Sequence, residues 1–300
     1  MEIVPYGGWP RCVRLSNEKV ELIATTDIGP RIMRFGRPAG QNLLGEISTD
    51  LGRTGGDLWR LYGGHRLWHA PEQQPRTYEP DNEPVAFDWD GKRLLLRQPI
   101  ESSTRIAKEL EIRLDAEKPA ATILHRLTNH NPWDVELAPW ALTVMACGGT
   151  ALLPQEPYAP HPEALLPARP LVLWPYTDMT DARWTWGRRL IRLRQDPRAG
   201  RPQKCGIRNT AGWGAYCLGR DVFIKQAAFD AEAQYPDFGC NWETFTNSEM
   251  LELETLGPLC LLAANGGSVE HVEYWSLHEA ELPSEEDATA ETLAGLIATA

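Results

Sequence analysis

Apolar and polar residues alternate with a period of two along most of this chain, the signature of half-buried β-strands. Residues 19–24 (KVELIA) and 28–35 (IGPRIMRF) read as strands on either side of a Thr-Thr-Asp turn. Residues 85–89 and 93–96 flank Asp90-Gly91, a strong hairpin signal. Residues 122–127 and 135–145 continue the pattern. After a break it resumes at 214–218, 222–227, 250–255, 259–263 and 271–277. Residues 105–114 (RIAKELEIRL) fit two descriptions: the charges suit a helix, while Ile106, Leu110, Ile112 and Leu114 suit one face of a strand. Residues 154–204, rich in Pro, Arg and Trp, predict long loops over the scaffold. The tail, 284–300, opens with Ser284-x-x-Asp287, close to a capping box, and predicts one terminal helix.

Composition sharpens this picture. The 24 Pro and 25 Gly among 300 residues argue against a helical bundle. No repeat, low-complexity tract or composition break marks a linker, so residues 1–300 read as one large all-β domain. A net charge of −11 without a basic run disfavours binding to nucleic acid. The N-terminal residues lack the basic and apolar segments of a secretory signal, and no run of about 18 apolar residues exists. These features predict a cytoplasmic protein with no membrane span. Six cysteines without a C-x-x-C pair read as free thiols. Twelve Trp suit either a large β core or flat apolar faces against sugars. The oligomeric state is not legible.

Three segments carry candidate chemistry. The first is Gly63-Gly64-His65-Arg66-Leu67-Trp68-His69-Ala70-Pro71-Glu72. Here His65 offers an acid or base, Arg66 a clamp and Trp68 a stacking face. On a strand His65 and His69 oppose Arg66 and Trp68, and only a bend at the double glycine would bring both sets together. The spacing of His65, His69 and Glu72 would suit a metal on a helix, but Gly-Gly and Pro71 oppose a helix, and no metal is expected. In the second segment Glu252 and Glu254 share a strand face, opposite Leu251 and Leu253. A carboxylate among Leu and Met suits proton transfer; the alternative is the solvent face of an amphipathic strand. Third, His130 sits in Asn129-His130-Asn131-Pro132, a turn pattern. Lys204 and Lys225 flank the strand at 214–218 as further candidate contacts.

The residues Leu253-Glu254-Thr255, Leu256-Gly257-Pro258, Asn265-Gly266-Gly267-Ser268 and His271-x-Glu273-Tyr274 resemble the C-terminal signature of aldose 1-epimerases (galactose mutarotases). The Gly-Gly-His-Arg-Leu-Trp-x-Ala-Pro-Glu segment is similar to an uncharacterised branch of the same superfamily. The resemblance spans about residues 20–277, mostly as pattern. It implies a large antiparallel β-supersandwich, here with a short C-terminal helix, and cofactor-free interconversion of sugar anomers by a glutamate base and a histidine acid. Glu254 takes the base position. The acid position admits two registers: one selects His130, the other places Trp140 there and leaves His65 as the acid. Arg66, Trp68, Trp140, Lys204, Asn241 and Glu243 are the expected substrate contacts. The ligand is then a monosaccharide or its phosphate or uronate. Two alternatives remain at this level: a non-catalytic carbohydrate-binding protein, and a glycoside hydrolase or lyase using Glu243 with Glu254.

Overall fold

A computed structural model of the chain describes residues 1–299. Strands, numbered in chain order, form two large antiparallel sheets. The first runs in space through β1 (Glu2–Tyr6), β2 (Trp9–Ser16), β3 (Glu21–Thr25), β4 (Arg31–Gly36), β5 (His65–Ala70) and β10 (Val135–Met145). It continues through β19 (Leu251–Leu256), β18 (Trp242–Thr246), β15 (Gln203–Ile207) and β12 (Leu171–Leu173), while β20 (Cys260–Leu262) pairs with the start of β10. The second sheet runs through β13 (Trp184–Trp186), β14 (Leu190–Arg194), β11 (Thr150–Pro154), β16 (Trp213–Leu218) and β17 (Asp221–Ala227). It ends with β21 (Ser268–Glu279), β9 (Ala120–Asn129), β8 (Ile106–Leu114), β7 (Leu94–Arg97) and β6 (Ala86–Trp89).

The period-two pattern explains the stacking. Along β9 every second residue is buried, so Ala121, Ile123, His125, Leu127 and Asn129 face the first sheet. Leu67, Leu251, Leu253 and Trp242 answer from the other side. Phe35, Phe223 and Trp275 lock the sheets together edge to face, with ring centroids 5.3–5.7 Å apart. Each such pair contributes about 0.5–1.5 kcal/mol beyond its buried area.

Residues 105–114 resolve as strand β8: pairing with β7 and β9 buries Leu110 and Ile112, so neighbours decide what the charges left open. The 154–204 segment is less loop-like than its composition predicts. It carries β12 and β13 at the sheet edges and β14 next to β13, with its prolines outside these strands. The tail forms a helix, Glu286–Thr299, whose Ala290 and Leu293 pack on Leu152, Leu190, Ala215, Val222 and Ile224. It covers the outer face of the second sheet. Among the described residues no helix is long and apolar enough to cross a membrane. All six cysteines are free.

Candidate sugar site

The outer face of the first sheet carries the chemistry. Registers across β5, β10, β19, β18 and β15 align Arg66, Leu142, Glu254, Glu243 and Gly206 in one row. One step along lies Trp68 beside Trp140 and Leu256; one step the other way lies Val144, Glu252, Phe245 and Lys204. Because side chains alternate, all of these point away from the second sheet.

Two cations and three carboxyls meet there. Lys204 Nζ lies 2.7 Å from Glu243 Oε2, a charge contact without hydrogen-bond alignment, and donates to Glu254 Oε2 at 3.1 Å. Trp140 Nε1 donates to the same Glu254 oxygen at 2.9 Å. The ammonium sits 4.7 Å from the ring centroids of both Trp140 and Trp174. Arg66 Nη2 donates to Glu252 Oε1 at 3.2 Å, with its guanidinium 4.5 Å from the Trp68 ring. Glu243 and Glu254 are fully buried, and Glu252, Lys204 and Arg66 nearly so.

Several polar atoms in this buried space have no hydrogen-bond partner: Glu254 Oε1, Glu243 Oε1, Arg66 Nε and Nη1, and Trp59 Nε1. Buried polar atoms are ordinarily paired, so these orphaned atoms are candidates for contact with a ligand. Burial, reinforced by the Glu254 charge, pushes the Glu243 carboxyl well above its ordinary pKa, although Lys204 opposes the shift. Burial likewise raises Glu252, against Arg66. Burial alone would lower Lys204, but the charges of Glu243 and Glu254 outweigh it and hold the ammonium well above its usual range. With three carboxyls for two cations, the set is neutral when one carboxyl keeps its proton.

An aromatic cover closes the face. Trp59 and Tyr78 pack on each other and on Trp68, while Trp174 and Tyr176 overlie Lys204 and Phe245. The cover comes from segments outside the central strands.

His65 is placed elsewhere, which corrects its expected role. It shares β5 with Arg66 but faces inward, fully buried between the sheets. The double glycine does not bend the strand to bring both faces together. Gly63 and Gly64, both at positive φ, allow close approach instead: a Cβ would lie 2.2 Å from Gly45 O and 2.4 Å from Ile32 O respectively. Inside, His125 Nδ1 donates to the His271 carbonyl at 2.9 Å, so its Nε2 accepts from His65 Nε2 at 2.7 Å. His65 Nδ1 then accepts from the Thr143 hydroxyl at 2.8 Å. Burial lowers the pKa of His65 and His125, and takes His271 down to about 3. Glu273 closes the network through Lys225 Nζ at 2.9 Å, Trp275 Nε1 at 2.8 Å and the Thr255 hydroxyl.

His65, His125 and Glu273 bring three potential ligand atoms within 4.8 Å of one another. Both imidazole Nε2 atoms are already committed to one hydrogen bond, and Lys225 neutralises Glu273. A divalent ion would face that ammonium in a closed, already neutral layer, so the chemistry of the set does not favour a metal.

The remaining candidates sort plainly. Glu254, Glu243, Arg66, Trp68, Trp140 and Lys204 are brought together. Asn241 is not available: its amide bonds the Asn209 backbone in both directions, at 2.7 and 3.0 Å, fixing a loop. His130 lies in the turn before β10, on the order of 20 Å along that strand from Leu142, which pairs with Glu254. His69 faces inward, 3.6 Å from Glu101, while Glu72 is exposed and accepts from Tyr78, so they do not form a set. Lys225 belongs to the inner network. Glu252 lies on the site face rather than in solvent. Nothing in the sequence pattern points to Trp59 or Tyr78, and only the Trp-rich composition of 154–204 points to Trp174.

No family model and no curated protein matches the chain. Solved structures do. A galactose mutarotase-like protein from Lactobacillus casei superposes with a TM-score of 0.56 at 10% identity, covering 89% of this chain and 100% of that one. Another from Clostridium acetobutylicum gives 0.54 at 8%, covering 93% and 98%. A Klebsiella pneumoniae protein provisionally called an aldose 1-epimerase gives 0.60 at 11%, covering 99% and 86%. At these identities the likeness defines the architecture: the chain has the galactose mutarotase-like fold.

Proposed function

We propose that this protein binds a monosaccharide on the outer face of the first sheet and interconverts its anomers by proton transfer. The observation that carries this is the pairing of Glu243 with Glu254. Lys204 engages the Oε2 atom of each, leaving both buried Oε1 atoms without a hydrogen-bond partner. The two oxygens that must exchange a proton in ring opening, the anomeric hydroxyl and the ring oxygen, are attached to one carbon. Two adjacent carboxyls on one side can serve both.

Glu254 Oε1 takes the proton of the anomeric hydroxyl as the C1–O5 bond breaks and the C1=O1 bond forms. The Glu243 carboxyl, whose pKa burial raises, gives its proton to O5. Rotation about C1–C2 and reclosure on the other face reverse both transfers and restore each carboxyl. The unpartnered Nε and Nη1 of Arg66 donate to hydroxyl oxygens, and Trp68 and Trp140 provide flat apolar walls. Glu243 thus takes the acid role expected of a histidine. Hydrolysis of a glycoside fits less well: Lys204 Nζ occupies the gap between the two carboxyls that the scissile bond would need.

NMR exchange spectroscopy across neutral aldoses tests this. The expected result is accelerated anomer exchange, lost at least 100-fold in Glu254→Gln and in Glu243→Gln. Unchanged exchange in either variant removes that residue from the mechanism. Sugar-dependent tryptophan fluorescence with no acceleration would instead establish a binding protein.

A further inference from the structure

The charge count of the site makes a statement about ligand class that rests on the sugar-site reading and goes beyond it. Five ionisable side chains line the buried space: Arg66 from β5, Lys204 from β15, Glu243 from β18, and Glu252 and Glu254 from β19. Asp237, in the turn before β18, and Glu72, beside Tyr78, add only negative potential at the margin. Behind the sheet, Lys225 and Glu273 cancel each other.

Both cations are already matched, Lys204 with Glu243 and Glu254, and Arg66 with Glu252. A phosphate or carboxylate on the sugar therefore finds free N–H groups on Arg66 but no unmatched positive charge. It would be buried against three carboxyls, an uncompensated charge in a low-dielectric space. An ammonium group finds the opposite: two unpartnered carboxyl oxygens, on Glu243 and Glu254, and one carboxyl in excess of the cations, whose balancing proton its charge can replace.

We propose that the site selects by charge, refusing phosphorylated and carboxylated sugars and accepting an ammonium-bearing aldose, whose binding expels the proton held on Glu243. Loss of that proton removes the acid, so an amino sugar binds as an inhibitor. Its own anomers are not exchanged faster. Neutral aldoses bind without proton release and are turned over.

Titration calorimetry with glucose, glucosamine, glucose 6-phosphate and glucuronate tests this at about pH 6.5, where a sugar ammonium stays charged. Running each titration in PIPES and in imidazole, which differ in ionisation heat, counts protons. Glucosamine is expected to release close to one proton, glucose none, and both anionic sugars to bind at least tenfold more weakly than glucose. In Glu243→Gln, glucosamine is expected to release no proton and to lose at least tenfold more affinity than glucose. The wild-type proton count needs no variant, and so survives a Gln variant that fails to fold. Glucosamine binding with no buffer dependence overturns the inference while leaving the sugar site standing, as does glucose 6-phosphate binding as tightly as glucose. Persistent proton release in Glu243→Gln overturns Glu243 as the store. Failure of every sugar to bind overturns the sugar site itself, and this inference with it.

Discussion

Lys225→Met isolates the buried charge pair behind the site. Lys225 Nζ is fully buried, 2.9 Å from Glu273 Oε1 and 3.1 Å from the Leu253 carbonyl. Removing it leaves Glu273 with the Trp275 N–H and the Thr255 hydroxyl but no counter-charge. An uncompensated buried carboxylate costs about 3–5 kcal/mol, and full burial removes any discount for solvent screening. At roughly 2 °C per kcal/mol for a chain of this length, the melting temperature is expected to fall by roughly 6–10 °C. In the native protein, burial alone would raise Glu273, but Lys225 and the nearby histidines hold its pKa below the usual carboxylate range. The pair's contribution is therefore present above the unfolded carboxyl pKa and is lost only as pH falls through the depressed folded value. In Lys225→Met burial wins, and the folded pKa of Glu273 lies above its unfolded value. The sign reverses: the variant gains stability as pH falls through that raised pKa and loses it as pH rises back through it. Its deficit against wild type is expected to be largest near about pH 8 and to shrink toward about pH 5. The double variant Lys225→Met/Glu273→Gln removes both charges and is expected to recover at least about 2 kcal/mol relative to the single variant. Urea unfolding followed by circular dichroism at several pH values measures all of this. A Lys225→Met deficit below about 1 kcal/mol, or one independent of pH, would refute the assigned electrostatics.

Two further outcomes separate the faces of the first sheet. His65→Gln is expected to lower stability by about 2–4 kcal/mol, because it breaks a fully buried hydrogen-bonded array, yet to leave anomer exchange per folded molecule within a few-fold. Loss comparable to Glu254→Gln would restore a histidine acid. Leu293→Ala, on the helix covering the second sheet, is expected to cost about 2–4 kcal/mol by differential scanning fluorimetry with no change in sugar affinity.

How much of this could be read from the chain depends on whether the signal was local. Strand β10 matches its expected span, Val135–Met145, because its run of apolar residues, with β-branched Val135, Thr143 and Val144 toward its ends, leaves no competing period. The common face of Glu252 and Glu254 follows from spacing alone, as does the opposition of His65 to Arg66. Which of two faces looks inward is not local. It is set when β5 pairs with β10 and β10 with β19, and when the second sheet stacks on one side. That is why His65 was open to the acid role while its neighbour Arg66 was legible as a clamp. Asn241 fails for a related reason: its side chain is consumed by a loop, at Asn209, 32 residues away in sequence. The match of Lys204 to two glutamates on β18 and β19 is likewise invisible until three strands lie side by side.

The two buried polar sets are best understood as one device built on alternation. His65 adjoins Arg66, Thr143 adjoins Leu142, and Leu253 and Thr255 flank Glu254. Each inward residue that the first sheet gives to the network thus sits one peptide from an outward member of the site row. Lys225 holds the Leu253 carbonyl and Thr255 holds Glu273, so β19 is clamped on both sides of Glu254. A one-residue slip of β19 would bury Glu252 and Glu254 in the apolar core and turn Leu253 and Thr255 outward. The inner network raises the cost of that slip, since it would also unpair Lys225 and Glu273. Fixing the register this way holds five ionisable side chains in one arrangement without drawing on the site's own hydrogen bonds. The free oxygens of Glu243 and Glu254 and the free N–H groups of Arg66 are left for a ligand.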